Sequence, residues 1–234
     1  MQELGIFAKY WEPGRVKTRL AATLGNELAS QIYQHFLTTL LERFRRYGDQ
    51  RTLVFTPESE RAAFEKLVGP RDWQLLAQQG DDLGERMSLF FEDRLKAGAE
   101  SVVLIGSDSP TLPQSIMTTA FEELRTHDLV IGPSADGGYY LIGMRKPLCG
   151  VFCNVDWSSS QVWTQTLQRV DELGEQVSLA VLPEWYDVDT LDDLERLFRE
   201  IEQTAETSPS FIAIAECCSQ IFNRGESGLS KDED

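Results

Sequence analysis

Cysteine, histidine and long apolar runs are all scarce in this chain, and each scarcity removes a class of function. Its 234 residues include four cysteines, Cys149, Cys153, Cys217 and Cys218. They make neither the paired CxxC spacing of a zinc site nor the density of a secreted disulfide scaffold, so they read as buried or incidental thiols. The two histidines, His35 and His127, lie in helix-like or helix-end segments with no neighbouring Ser, Cys or metal-ligand pattern, and neither is a catalytic candidate. No stretch approaches the roughly 18 consecutive apolar residues of a membrane span, and residues 1–10 lack a basic segment followed by an apolar signal core. The expected location is therefore cytoplasmic. Basic side chains are in the minority, 22 Lys and Arg against 38 Asp and Glu, for a formal net charge of −16. Nucleic acids and anionic membranes are read through basic patches, so neither is an expected partner. The composition leaves the oligomeric state open.

What is present suits a globular enzyme. With 41% hydrophobic and 26% charged residues, a chain of this length can bury one good core and falls short of an obvious two-domain protein. The expected organisation is one domain over residues 1–206 and an extension over 207–234, a short helix followed by a polar, disordered tail. Charge is unevenly spread: residues 184–234 hold 14 acidic and 4 basic side chains, whereas residues 1–20 hold 4 basic and 2 acidic ones. A small anionic ligand is better received at the N-terminal end.

Apolar runs at 4–8, 52–56, 73–77, 101–105, 129–131, 139–142 and 177–182 predict strands. Apolar positions at helical spacing predict helices from Asn26 towards Gly48 and over 58–68, 83–97, 160–172 and 191–204, with another begun near Pro113. The run Val102-Val-Leu-Ile105 is apolar on both faces, as a central strand covered by helices on each side must be. This alternation implies an α/β fold with a mostly parallel, doubly wound sheet.

In such sheets ligands collect beyond the carboxyl ends of the strands, and four loops there are unusual. The first, read as loop over residues 9–20, combines Gly14 with Lys9, Arg15, Lys17 and Arg19. The glycine lets a ligand approach the backbone and the cations can pair with phosphate oxygens, although a solvated basic loop fits the segment equally well. It lacks the GxxxxGK[ST] order of a Walker loop. The second, Gly106-Ser-Asp-Ser-Pro110, sets Asp108 at the ligand edge, where a carboxylate can bind Mg²⁺ or Mn²⁺ bridging phosphate oxygens; Asp108 and Ser109 could instead make a turn and cap the next helix. The third, residues 132–140, carries Asp136-Gly137-Gly138. That is first of all a hairpin turn, in which the glycines could also leave room for a sugar and Asp136 could bond a hydroxyl. In the fourth, Tyr186-Asp-Val-Asp-Thr190, Asp187 and Asp189 alternate to one side of an extended segment, and either could join Asp108 on a metal. Asp189 or Thr190 also suits the cap of the helix that follows.

Taken in order, these segments resemble the small bacterial glycosyltransferase-like proteins of the nucleotide-diphospho-sugar transferase superfamily, including members associated with arsenosugar biosynthesis. The resemblance covers about residues 7–194 and adds two further segments, Gln79-Gly-Asp-Asp-Leu-Gly-Glu-Arg-Met87 and Val155-Asp-Trp-Ser-Ser159. It implies a Rossmann-like sheet with an antiparallel insertion, nucleotide bound across the first loop, Asp108 as metal carboxylate and Asp189 as the later acidic position completing metal binding. It also implies Gln79, Gly80 and Arg86 near base and ribose, while Gly137, Gly138 and Tyr139 of the third loop are the candidates for contact with the sugar. The first loop departs from the Gly-rich LAGGxGxRM form of sugar nucleotidyltransferases and is closer to the Lys-Thr-Arg loop of phospholactate guanylyltransferases. The expected activity is metal-dependent glycosyl transfer from a nucleotide sugar to a small-molecule acceptor, with Asp108 and Asp136 catalytic. The alternatives are nucleotidyl transfer from an NTP to a phosphorylated acceptor with release of pyrophosphate, and a non-catalytic nucleotide-binding module.

Overall fold

The computed structural model describes residues 1–69, 72–174, 176–204 and 208–226. In chain order the elements are β1 (Gln2–Lys9), α1 (Thr18–Leu24), α2 (Asn26–Arg43), β2 (Gln50–Thr56), α3 (Arg61–Val68), β3 (Gln74–Ala77), α4 (Leu83–Lys96) and β4 (Ser101–Ile105). They continue with α5 (Gln114–Glu123), β5 (Leu129–Pro133), β6 (Tyr139–Met144), α6 (Val162–Glu172), β7 (Leu179–Val181), α7 (Leu191–Gln203) and α8 (Pro209–Glu226). Contacts divide the chain into a sheet unit, Met1–Tyr10 with Arg43–Asp187, and a helical unit, Trp11–Glu42 with Val188–Asp234.

All seven strands belong to the sheet unit, in the order β3-β2-β1-β4-β6-β5-β7. The neighbours among β1, β2, β3 and β4 pair in parallel, β6 runs antiparallel to both β4 and β5, and β7 is parallel to β5. This is the mostly parallel sheet that the alternation implied, and β6 corresponds to the antiparallel insertion that the resemblance implied. Every residue of β4 is buried, as its unbroken apolar run requires. Below α4, an apolar cluster built from Phe90, Phe91, Val102, Leu104, Ile131 and Ile142 forms the core on one face of the sheet. Asp82 starts α4 by accepting the Glu85 N–H at 2.8 Å, so Met87, Phe90 and Phe91 fall on its buried side.

The helical unit owes its order to the same periodicity. Ala29, Ile32, Tyr33, Phe36, Leu37 and Leu40 are buried along α2, and Leu194, Leu197 and Ile201 along α7. Thr190 and Asp193 close a reciprocal capping box at the start of α7, so the capping role read for Thr190 holds. The rings of Phe198 and Phe222 stack at 5.8 Å, joining α7 to α8.

Three local readings change. The first loop is shorter than expected, because α1 already starts at Thr18 and buries Leu20 and Ala21. Helix α2 ends at Arg43, before Gly48. The cap proposed for Asp108 or Ser109 is absent, since α5 starts at Gln114 with Pro113 in the capping position and no side-chain cap. The expected helix after residue 208 is α8, while the expected disordered tail lies, from residue 227 onwards, outside the described residues. Cys218 is buried on α8, which pushes its thiol up to about 12, and Cys153 is exposed.

Candidate functional site

Because β5 and β7 run with the four parallel strands and β6 runs against them, one edge of the sheet collects the ends of six strands and the start of β6. Lys9 ends β1 there and is exposed. At the end of β3, the Gln78 side-chain amide donates to the carbonyls of Ala8 at 3.2 Å and Val54 at 2.9 Å, tying three strand ends together. Nothing in the sequence separates Gln78 from its neighbour Gln79, and this bracketing residue was not foreseen. Gln79 and Arg86 are among the residues lining a cleft of about 360 Å³, together with Val54, Leu76 and Phe90. Arg86 Nε donates to the Gly80 carbonyl at 2.9 Å and closes the loop between β3 and α4.

Asp108 lies three residues beyond β4, half-exposed between the buried Ser107 and Ser109. The Ser109 hydroxyl is shared between Asp187 Oδ1 at 2.6 Å and the Tyr186 carbonyl at 2.9 Å, which both accept from it. A turn is also present, with the Leu112 N–H donating to the Ser109 carbonyl at 3.0 Å. In the fourth loop, then, Asp187 is bonded to the segment that carries Asp108.

The β5–β6 turn is held by Asp136, whose Oδ1 accepts from the Ser134 hydroxyl and from the Gly138 N–H at 3.1 Å. Asp136 itself is exposed. Gly137 has φ 91°, and a Cβ added to it would lie 2.4 Å from the Ser160 carbonyl oxygen. The room expected there for a sugar is therefore filled by the chain's own backbone. Around Gly138, Ser134 Oγ and Asp136 Oδ1 come within 3.2 and 3.3 Å of a hypothetical Cβ. Tyr139 packs against the apolar cluster with its hydroxyl 3.9 Å from Met87 Sδ, so its ring supports the core. Burial raises its ionisation far above the usual phenol range.

In the helical unit, residues read separately prove to be partners. Gly14 takes φ 80° in the turn where the Arg15 N–H donates to the Glu12 carbonyl. Lys17 adopts φ 46° and ψ 47°, a left-handed conformation uncommon outside glycine, immediately before α1. Its side chain is 2% exposed, with Nζ 2.9 Å from Asp189 Oδ1 and 5.8 Å from the Phe36 ring centroid. Arg19, 70% exposed, reaches Asp189 Oδ2 at 3.7 Å. A phosphate-binding candidate and a metal-binding candidate are thus an ion pair, with Arg19 and Arg15 left at the surface.

For a divalent ion the donor chemistry fits at Asp108. Mg²⁺ is typically held by one or two carboxylates, several waters and substrate phosphates, so a ready-made cage of three acids is not required; among the described residues none exists. The fit at Asp189 is poorer, because each of its oxygens faces a cation.

A family model described as an uncharacterized protein conserved in bacteria, DUF2064, matches residues 39–159. Comparison with curated proteins finds no match. Among solved structures, a candidate nucleotide-diphospho-sugar transferase from Desulfovibrio desulfuricans G20 is 33% identical, with a TM-score of 0.86 over 96% of this chain and 97% of that one. The inositol-1-phosphate CTP transferase from T. maritima is 16% identical, with a TM-score of 0.55 over 94% and 97%. Rv0371C from Mycobacterium tuberculosis H37Rv, in complex with manganese, is 15% identical, with a TM-score of 0.50 over 84% and 97%. The last two are alike in fold alone. With about half of its length matched by the family model and a 33% identical relative aligned almost end to end, the chain belongs to the DUF2064 family and has the α/β fold of the nucleotide-diphospho-sugar transferases.

Proposed function

We propose that the chain is a divalent-metal-dependent glycosyltransferase that uses a nucleotide-activated sugar. The observation that carries this reading is Asp108, a half-exposed carboxylate held at the carboxyl end of the buried central strand β4, in a chain 33% identical to a candidate nucleotide-diphospho-sugar transferase. Asp108 would hold Mg²⁺ or Mn²⁺, and the bound ion would neutralise the diphosphate as it leaves the sugar. The exposed guanidinium groups of Arg15 and Arg19 suit contacts to phosphate oxygens, which they can grip with paired N–H donors. Lys17 contributes by keeping Asp189 and the start of α1 in place rather than by touching phosphate. The exposed carboxylate of Asp136 is suited to accept from a hydroxyl of the substrate.

Nucleotidyl transfer is the second reading. It is favoured by the cationic first loop, which could cover the β and γ phosphates of an NTP, and by the fold shared with a CTP transferase. Competitive calorimetric titration in Mn²⁺ separates the two. UDP-glucose or GDP-mannose is expected to bind more tightly than UTP or GTP. If the NTP binds more tightly, and pyrophosphate is released with a sugar phosphate as acceptor, nucleotidyl transfer replaces the first reading.

A further inference from the structure

The segment 153–160 has no role in the site so far, yet its backbone is held in place at the ligand edge by several contacts. Two residues other than glycine, Asn154 at φ 54° and Ser158 at φ 68°, take left-handed backbone on either side of Trp157. Such conformations persist where the surroundings over-determine them. The surroundings here are specific. The Ser160 backbone presses on Gly137, and the Trp163 N–H donates to the Gly137 carbonyl at 2.8 Å, so the segment clasps the turn that carries Asp136. Trp157 itself rests on Gly84 at the start of α4, where a Cβ would fall 2.6 Å from its indole nitrogen. Its ring meets Tyr139 edge to face at 6.4 Å, at the first residue of β6.

This half-exposed tryptophan has unused polar capacity around it. The indole N–H bonds to none of the described residues, and neither do the hydroxyls of Ser158 and Ser160, both exposed. Part of the ring packs against the apolar cluster, 6.4 Å from Phe152, while the indole N–H, which in tryptophan usually finds a partner, stays open. A half-exposed aromatic ring with an open indole donor, on a segment that carries two exposed serines, matches a sugar ring, which offers C–H groups to the ring and hydroxyls to the polar groups. We infer that Trp157 is the platform on which the substrate's sugar ring rests, with Ser158 and Ser160 available to its hydroxyls. The inference deepens the proposed function and rests on it. The sugar could arrive on a nucleotide or as a sugar phosphate, and the test separates these sources.

Calorimetric titration in Mn²⁺ of the wild type, Trp157→Ala and Trp157→Phe should use UDP-glucose, UDP and glucose 1-phosphate, with GDP-mannose and GDP as a second donor pair. Trp157→Ala is expected to weaken UDP-glucose about tenfold while UDP stays within about twofold, the scale of one lost aromatic contact. Trp157→Phe, which keeps a ring against Gly84, should retain the wild-type melting temperature and lie between the two. A loss confined to glucose 1-phosphate would support the platform and move the reaction to nucleotidyl transfer. Equal losses for UDP and UDP-glucose, or no loss for any sugar compound in a folded variant, would overturn the platform and leave the transferase reading standing. Failure of the wild type to bind any of the five compounds would sink both.

Discussion

At the scale of single residues, the ion pair between Lys17 and Asp189 departs most from a surface-loop picture. An ammonium with 2% exposure persists because a carboxylate lies 2.9 Å away. Removing one partner of a buried pair leaves the other uncompensated, at about 3–5 kcal/mol. Because Asp189 is partly exposed, Lys17→Met is expected near the low end, about 3 kcal/mol in urea unfolding. Combined with Asp189→Leu, it should show a coupling of at least about 1 kcal/mol in a double-mutant cycle. A coupling near zero would mean that the pair contributes nothing. Arg19→Ala should behave in the opposite way, with an unchanged melting temperature and nucleotide affinity weakened about tenfold, one charge-assisted bond. The residue types in this loop were legible in the sequence as candidate ligands for phosphate. That one of them pairs with Asp189 was not, since the partners are 172 positions apart.

At the scale of elements, two short segments set the geometry near the ligand edge and at the head of α7. The capping box of Thr190 and Asp193 satisfies N–H groups that would otherwise be open at the start of α7. Thr190→Ala should lower stability by about 1 kcal/mol, read as a lower denaturation midpoint. The β5–β6 turn is less forgiving, because Gly137 needs both its positive φ and the space taken by Ser160. Gly137→Ala should cost about 2–4 kcal/mol by combining backbone strain with overpacking. A near-neutral effect would show that segment 153–160 is not clasped on the turn. The turn itself was readable from Asp136-Gly137-Gly138. What the glycine makes room for depended on a segment that follows more than 20 residues later, and local pattern carries no information on that.

At the scale of the whole molecule, Asp128, just before β5, is the group through which pH is expected to act. Burial alone would raise its pKa, but hydrogen bonds from the Ser178 N–H and hydroxyl, from Arg145 and from Lys146 hold it far below the usual carboxylate range. A depressed carboxyl contributes stability above its unfolded pKa of about 3.9, and loses it as pH falls below that value. Thermal melts should therefore fall steeply below about pH 4. Asp128→Asn should be less stable at pH 7 and show a flatter acid limb; an unchanged limb would place acid sensitivity elsewhere. Glu3, buried on β1 and accepting from Thr52 at 2.7 Å, has the opposite sign. Burial raises its pKa, so its contribution is complete below the usual Glu range and is lost as pH rises through the raised value.

The sequence by itself determined the alternation of strands and helices, the burial of β4 and the location of the candidate loops at strand ends, because these follow from periodicity and turn chemistry over a few neighbouring residues. Tertiary structure decided which of those residues act together. It seated the antiparallel β6 between β4 and β5, bonded Ser109 to Asp187 rather than to the next helix, buried Lys17 against Asp189 and laid Trp157 on Gly84. Each of these is a contact between segments far apart in the chain. Its energy comes from packing and charge pairing that exist only once the segments meet.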